Sequence, residues 1–313
     1  MLTIEQLKEQ AAGKWFGILS QFGIIVDESG KHTACPICGD GGKGRRSDRF
    51  RMDVDGTAYF CNQCNPKAGD TLQLIKKVTG LEFPEIIKRI SEMLGDIQPF
   101  KPAPKKDPSV ALKKLWLTSK PIEPGDMAAQ YLRSRKIFEL PSDIRFCPEC
   151  YNSDTKTKMP AMLGVFSNKD GKPISIHRTY LSDDKKADVP KPKKMLAGTE
   201  SLAGGAVRLK SCADQLGIAE GIETALSAMA ISGIPTWAAL STSLMESFVP
   251  PVSARKITIF ADNDANFAGQ KAAYHLANRL YNKPFELIVE VFVPKNVGDY
   301  NGELVELLRG KAV

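Results

Sequence analysis

Four acidic side chains in the last third of the chain each stand where a short apolar run ends. They are Glu220, Asp262, Asp264 and Asp299. Carboxylates that gather in one place repel one another, so a cation bound among them stabilises the group. Mg²⁺ and Mn²⁺ are hard cations that prefer carboxylate oxygens. The residue types therefore predict a divalent metal site, provided that the fold brings the four side chains together.

The segments around these acids alternate between strand and helix patterns. Residues 216–219, 256–261 and 287–293 are apolar runs typical of buried strands, and helix patterns follow the first two. Strands that alternate with helices predict a parallel sheet, whose functional groups lie at the carboxyl ends of the strands. Glu223 stands in the first turn of the helix after the first run, where an acid suits the helix dipole. We therefore expect an α/β domain with the acids at one sheet edge.

Four cysteines nearer the N-terminus form two Cys-x-x-Cys pairs, on either side of a segment typical of a β-hairpin. They are Cys35, Cys38, Cys61 and Cys64. Two such pairs can place four thiolates around one tetrahedral Zn²⁺, so the pattern predicts a zinc ribbon. The alternatives are four unrelated thiols, or His32 in place of one cysteine as a ligand.

Basic and aromatic residues are interleaved within this predicted ribbon. We expect Arg45, Arg46 and Arg49 to contact single-stranded nucleic acid, because guanidinium groups bind the backbone while aromatic faces stack on bases. A ribbon this small has little core, so some of its aromatic rings must pack internally. Phe60 is the ring that we assign to the core.

A second basic region precedes the acidic segments. Residues 185–194 are expected to form a mobile loop, in which Lys193 and Lys194 are either solvated or bind phosphate. Arg178 and Arg208 lie in strand patterns before the acids, and a guanidinium in such a place is suited to hold a triphosphate. These four residues are therefore candidate contacts for nucleotide or template.

A further Cys-x-x-Cys pair, Cys147 and Cys150, stands in the middle of the chain. As half of a second zinc site it would need two more ligands, and Cys212 and three histidines are all that remain. We interpret the pair as ordinary thiols.

The 313 residues carry a net charge of +7 and are 42% hydrophobic, as expected for a globular chain of two or three domains with a polyanionic partner. No apolar run reaches membrane-spanning length and the start lacks a signal-peptide pattern, so we expect a cytoplasmic protein without a membrane partner. A segment rich in proline and lysine suggests the domain division. The expected parts are a zinc-ribbon domain with flanking helices at 1–95, a linker at 96–109, an α+β segment at 110–210 and the parallel-sheet domain at 211–313.

Taken together, these motifs resemble the Toprim-type DNA primases of satellite phages, prophages and conjugative plasmids. The resemblance covers most of the chain and is carried by the cysteine pairs with Asp48-Arg-Phe-Arg51, by His177-Arg-Thr-Tyr-Leu181 and by the Glu220-Gly and Asp262-Asn-Asp264 motifs. It implies a multidomain α/β and α+β fold with a C-terminal Toprim domain, in which Glu220, Asp262 and Asp264 are catalytic. It also implies structural Zn²⁺, catalytic Mg²⁺ or Mn²⁺ with Asp299 as a further ligand, a single-stranded DNA template and ribonucleoside triphosphates.

Two other functions remain open from the sequence. The same acids could cut phosphodiesters in a metal-dependent nuclease of the Toprim type. Alternatively, the chain could be a non-catalytic adaptor that binds single strands and recruits a helicase. The sequence has no Gly-x-x-x-x-Gly-Lys-Ser/Thr motif, so any helicase is expected to be a separate chain.

Overall fold

The computed structural model describes residues 3–39, 49–100, 107–282 and 287–310. The chain divides into two compact units, Met1–Lys106 and Asp107–Val313. Arg45 and Arg46 lie outside the described residues. None of the helices in the described ranges is long and apolar enough to span a bilayer.

In its described residues, the first unit combines four helices with a small antiparallel sheet in the order β1-β2-β3. Its elements are α1 (Ile4–Gln10), α2 (Trp15–Gln21), β1 (Phe50–Met52), β2 (Ala58–Cys61), β3 (Ala68–Asp70), α3 (Thr71–Thr79) and α4 (Phe83–Met93). Helix α1 begins with a capping box, in which Thr3 and Gln6 each bond the other's backbone N–H. Asp70 caps α3 by accepting a hydrogen bond from the Gln73 N–H.

The sheet of this unit places its aromatic rings on opposite faces. Phe50 and Tyr59 are buried and stacked, with ring centroids 5.8 Å apart. Phe60 is only half-buried. Its assignment to the core was wrong, because successive residues of a strand point to opposite faces and Tyr59 takes the inner one.

The second unit is built on a mixed sheet whose described strands follow the order β14-β13-β11-β12-β10-β6-β5-β4, with β7 beside β6. Its strands are β4 (Lys120–Pro121), β5 (Ile144–Asn152), β6 (Thr157–Ser167), β7 (Pro173–Ser182), β8 (Lys185–Lys186), β9 (Lys193–Met195), β10 (Ala206–Val207), β11 (Gln215–Ala219), β12 (Thr236–Ala238), β13 (Lys256–Phe260) and β14 (Ile288–Phe292). Its helices are α5 (Pro108–Leu117), α6 (Met127–Ser134), α7 (Ile222–Ser232), α8 (Thr242–Ser247), α9 (Ala268–Tyr281) and α10 (Tyr300–Gly310).

The antiparallel half of this sheet includes the basic segment 185–194. Strands β8 and β9 both pair with β7, with Leu181 opposite Lys186 and Thr179 opposite Lys193. The expectation of a mobile loop was therefore wrong for the parts of this segment that join the ladder. Backbone hydrogen bonds between these strands and β7 hold Lys186 and Lys193 in defined positions.

The parallel half consists of β12, β11, β13 and β14. Ile218 and Ile259, in the two central strands, are fully buried, as expected for strands covered on both faces by helices. Strand β12 is only three residues long, too short to show a period in the sequence, and it was not predicted.

Candidate active site

Strand register brings three of the predicted acids to one sheet edge. Ala219 is paired with Phe260 across the two central parallel strands; Glu220 follows Ala219 directly, and Asp262 follows Phe260 after Ala261. After β13, Asn263 forms an isolated bridge with Gly298, in which each N–H donates to the other's carbonyl oxygen, at 2.8 and 3.0 Å. This bridge lies directly before Asp299, so the turn after β14 is attached beside the end of β13.

Two of the carboxylates lie at helix N-termini. The Gly269 N–H, in the first turn of α9, donates to Asp264 Oδ2 at 2.9 Å. The Gly302 N–H, in the first turn of α10, donates to Asp299 Oδ1 at 2.9 Å. Helix N-termini stabilise negative charge, because their N–H groups lack partners within the helix and the dipole is positive there. Asp264 and Asp299 are therefore held in fixed positions.

Gly269 allows α9 to begin close to the acids. A Cβ atom on this residue would lie 2.6 Å from the Asp262 carbonyl oxygen and 3.1 Å from Asp264 Oδ2. The first distance is far shorter than van der Waals contact, so any larger residue would displace the turn that carries the aspartates.

Asp262 is the acid whose surroundings most disfavour a bare carboxylate. Burial, followed by the charges of Glu220, Asp299 and Asp264, raises the pKa of Asp262 to about 7. Its Oδ1 atom is buried without a hydrogen-bond partner among the described residues. A buried oxygen without a donor, surrounded by three other acids, fits a site that binds a cation.

Glu220 lies in the same field. Burial and then the charge of Asp264 raise the pKa of this carboxyl, while the Lys193 ammonium opposes the increase. The mutual influence of the pKa values places all four acids within electrostatic reach of one another. The described residues include no group of three carboxylate oxygens within 4.8 Å of each other. Mg²⁺ usually binds one or two carboxylates together with water and substrate phosphates, so it does not require three such oxygens in one place.

Glu223 was predicted only as an acid that complements the dipole of α7, but its surroundings show more. It is 3% exposed, and Oε1 accepts a hydrogen bond of 2.6 Å from the Tyr131 hydroxyl. Lys186 Nζ lies 3.1 Å from Oε1, and Lys193 Nζ lies 3.4 Å from Oε2. Burial would raise the pKa of Glu223, but Lys193, Lys186 and the hydroxyl together hold it well below its ordinary value.

Alternation along β9 separates the two candidate phosphate-binding lysines. Lys193 points towards Glu223, whereas Lys194 lies on the other face and forms an ion pair of 2.6 Å with Asp154. Arg178, opposite Lys194 in the ladder, is on that same face and donates to the Tyr151 and Met195 carbonyls. Only Lys193 of these three is brought towards the acids.

Arg208 is placed near the opposite ends of the parallel strands. Its guanidinium donates to the Asn168 and Lys169 carbonyls and lies 4.6 Å from the centroid of the Trp237 ring. Strand β10 runs antiparallel to β12, so the chain leads Arg208 away from the edge where Glu220 lies. Arg49, in the first unit, is only 8% exposed and thus offers little surface to nucleic acid.

The four cysteines of the first unit come together as predicted. All four sulfurs lie within 4.8 Å of one another, with Cys35 and Cys64 Sγ atoms 3.6 Å apart and Cys38 and Cys61 Sγ atoms 3.8 Å apart. A tetrahedron with Zn–S bonds of about 2.3 Å has sulfur–sulfur edges of about 3.8 Å. The donor set therefore fits one structural Zn²⁺.

The backbone around the second pair favours a thiolate. Burial opposes ionisation of Cys61, but the N–H groups of Gln63 and Cys64, together with the Cys35 and Cys64 thiols, lower its pKa to about 7. Burial raises the pKa of Cys64 in the same pair, and metal binding requires the thiolate form, so a bound cation would have to displace the Cys64 proton. His32 is not a member of the cluster.

Cys147 and Cys150 are both buried in β5, where a bulge interrupts the register between them. Within the described ranges, no third thiol, imidazole or carboxylate joins them in a metal-binding group.

Family models match two segments of the second unit, and solved structures resemble the chain over up to its whole length. Residues 106–209 match a domain of unknown function, DUF7146, and residues 215–308 match the Toprim domain. The zinc-binding and RNA polymerase domains of the Aquifex aeolicus primase resemble the chain with a TM-score of 0.44 and 13% identity, over 100% of this chain and 84% of that one.

Two further solved structures show likeness at a similar level. The primase fragment of the bacteriophage T7 primase-helicase has a TM-score of 0.40 and 14% identity, over 90% of this chain and 97% of that one. The DnaG catalytic core has a TM-score of 0.45 and 12% identity, over 64% of this chain and 74% of that one. From the domain match, the C-terminal part of the chain is a Toprim domain, and the acidic cluster lies within it.

Proposed function

We propose that the protein is a DNA primase, which joins ribonucleoside triphosphates into short RNA primers on a single-stranded DNA template. The observation that carries this proposal is the edge of the Toprim domain where Glu220, Asp262, Asp264 and Asp299 lie within electrostatic reach of one another. A four-cysteine site in the first unit accompanies it, in the combination by which the sequence resembles primases of mobile elements.

Asp262 and Asp264, with Asp299 as a further ligand, would hold one or two Mg²⁺ or Mn²⁺ ions. When bound, the metal would neutralise charge on the triphosphate and lower the pKa of the attacking 3′-hydroxyl. The chain's own contribution is the fixed carboxylate geometry. The N–H groups of Gly269 and Gly302 hold two of the aspartates before any substrate arrives, so little reorganisation is needed.

Glu220 is the candidate general base. It lies on a different strand from the aspartate pair, and burial raises its pKa, which makes it a better proton acceptor at neutral pH. Its role is to accept the proton of the 3′-hydroxyl as the new bond forms to the α-phosphate of the incoming nucleotide and pyrophosphate leaves.

Lys193 is the cation best placed for the triphosphate. Among the basic residues predicted to contact phosphate, Lys193 is the one whose charge lowers the pKa of both Glu220 and Asp262. Its side chain is 41% exposed. An exposed ammonium beside a carboxylate cluster can take phosphate oxygens as the substrate enters. Arg178 and Lys194 bond protein groups on the other face, and a structural role suits them better.

The first unit would bind template. Cys35, Cys38, Cys61 and Cys64 would hold a structural Zn²⁺, and Arg45 and Arg46 remain candidate contacts for the single strand. A replicative helicase on a separate chain is a further candidate partner.

The decisive experiment is a primer-synthesis assay. The full chain is incubated with single-stranded template, Mn²⁺ or Mg²⁺, and radiolabelled ribonucleoside triphosphates, and the products are resolved by length. New short RNA is expected. If instead the template itself is shortened without nucleotides, the protein is a Toprim-type nuclease and the primase assignment is wrong.

A further inference from the structure

Glu223 is a buried carboxylate that no step of the proposed reaction uses. It lies in the first turn of α7, three residues after Glu220 in the chain, and its side chain is 4% exposed. Among the described residues, three groups reach it: the hydroxyl of Tyr131 on α6, and the ammonium groups of Lys186 and Lys193 on two strands beside β7. A charge this deeply buried is stable only when it is paired, so these partners are required for its ionised state.

The charges around Glu223 do not balance. One carboxylate is paired with two ammonium groups, which leaves one positive charge over at this place. The surplus lies beside the acidic cluster, because Lys193 Nζ is 3.4 Å from Glu223 Oε2 and Glu223 stands three residues after Glu220 in the chain. Lys193 therefore has two possible partners, the buried Glu223 and the acids that would bind metal.

The two partners have opposite consequences. When Glu223 holds it, the Lys193 ammonium remains beside the acidic cluster as a fixed positive charge, in addition to that of Lys186. Without Glu223, Coulomb attraction would draw the flexible lysine onto Glu220 and Asp262, where it would compete with a divalent cation. The Tyr131 hydroxyl donates a hydrogen bond of 2.6 Å to Glu223 Oε1 and so holds this carboxylate in place beside Lys193.

We propose that Glu223, anchored by Tyr131, is a positioning residue that holds Lys193 and Lys186 beside the acidic cluster and keeps Lys193 from neutralising the carboxylates that bind metal. That Lys193 then receives the triphosphate rests on the proposed function. The effect on metal binding does not, because it follows from the charges alone.

The test is a double-mutant cycle on the full chain, with Mn²⁺ affinity measured by isothermal titration calorimetry in the absence of nucleotide. Glu223→Gln is expected to weaken Mn²⁺ binding about tenfold, the usual scale for one charge brought into contact with a site. Adding Lys193→Met to the Glu223→Gln variant is expected to restore the Mn²⁺ affinity, since the competing ammonium is gone. Glu85→Gln, the same change in the first turn of α4 in the other unit, is the matched control and should alter nothing.

If Glu223 only stabilised the fold and did not position Lys193, the result would be different. If folded Glu223→Gln binds Mn²⁺ as the unaltered protein does, or if Lys193→Met fails to restore a weakened affinity, the inference is overturned. Should Glu223→Gln fail to fold, Tyr131→Phe decides, with about threefold weaker Mn²⁺ binding expected and unchanged binding overturning the inference.

The catalytic readout separates this inference from the proposed function. In a protein that makes primers, Glu223→Gln should raise KM for the nucleotide more than it lowers kcat, because it disturbs a contact made on binding. If the unaltered protein makes no primers but the Mn²⁺ cycle gives the expected coupling, the primase assignment fails while the positioning role of Glu223 stands.

Discussion

The Tyr131 hydroxyl lies 2.6 Å from Glu223 Oε1, although 92 positions separate the two residues in the chain. Tyr131 belongs to the segment that matches DUF7146, and Glu223 belongs to the Toprim domain. Lys186 and Lys193 also come from the first of these segments. The electrostatics of the acidic cluster are therefore shared between two matched segments that form one compact unit.

Asp262→Asn should reduce primer synthesis at least a hundredfold while leaving single-strand binding intact. The amide removes a charge from the group that would hold metal, and the binding surfaces elsewhere are unaffected. Primer synthesis and template binding are measured separately, by product length and by fluorescence anisotropy. Asp170→Asn, in an exposed turn, is the control, and an Asp262 variant that still makes primers would remove this residue from the reaction.

Gly269→Ala should weaken Mn²⁺ binding about tenfold and destabilise the second unit by about 1–3 kcal/mol, as overpacking usually does. Its Cβ atom would meet the Asp262 carbonyl oxygen at 2.6 Å, so the turn that carries both aspartates must shift. Calorimetry measures the affinity and denaturant unfolding the stability. Gly125→Ala, where a Cβ would meet nothing within 4 Å, should change neither; equal effects in the two variants would contradict the steric explanation.

His177 predicts a pH dependence of stability. Burial, partly opposed by the charge of Glu223, lowers the pKa of His177 to about 4, below its ordinary value of 6.5. Between these values the unfolded chain binds a proton that the folded chain does not, so stability is lost as the pH falls from about 6.5 to 4. We expect the free energy of unfolding, measured with a chemical denaturant, to fall between pH 7.5 and pH 4.5 by about 2 kcal/mol less in His177→Gln than in the unaltered protein. Parallel losses in both proteins would show that His177 does not titrate in this way.

Removal of zinc should unfold the first unit and leave the second intact. Cys35, Cys61 and Cys64 belong to the hydrophobic core of the first unit, so the metal-binding group and the core are one structure. Scanning calorimetry with a zinc chelator should show loss of one transition, and Cys61→Ser should reproduce it. Cys212→Ser, a change outside the cluster, serves as the comparison. A first unit that melts at the same temperature with and without chelator would mean that no metal supports it.

Much of the site could be predicted because its signals are local. Strands β11, β13 and β14 are each a short apolar run, and the alternation with helices is enough to place Glu220, Asp262 and Asp264 at one edge. The cysteine pairs likewise carry their geometry within a few residues of each other. The separation of Lys193 from Lys194 could not be predicted in this way, because it depends on the pairing of β9 with β7.

By itself, the sequence determined which residues are apolar, which are acidic and where the chain turns, and these established the parallel domain and the four-cysteine site. Only the tertiary structure decided which cations face the acids. Arg178 and Arg208 were expected near the cluster, but strand register places Arg178 on the other face of the sheet and strand direction places Arg208 away from the acidic edge. The buried Glu223 instead contacts Lys186, Lys193 and Tyr131. The physical reason is that a shift of one residue along a strand reverses the face of a side chain, and long-range pairing alone sets that register.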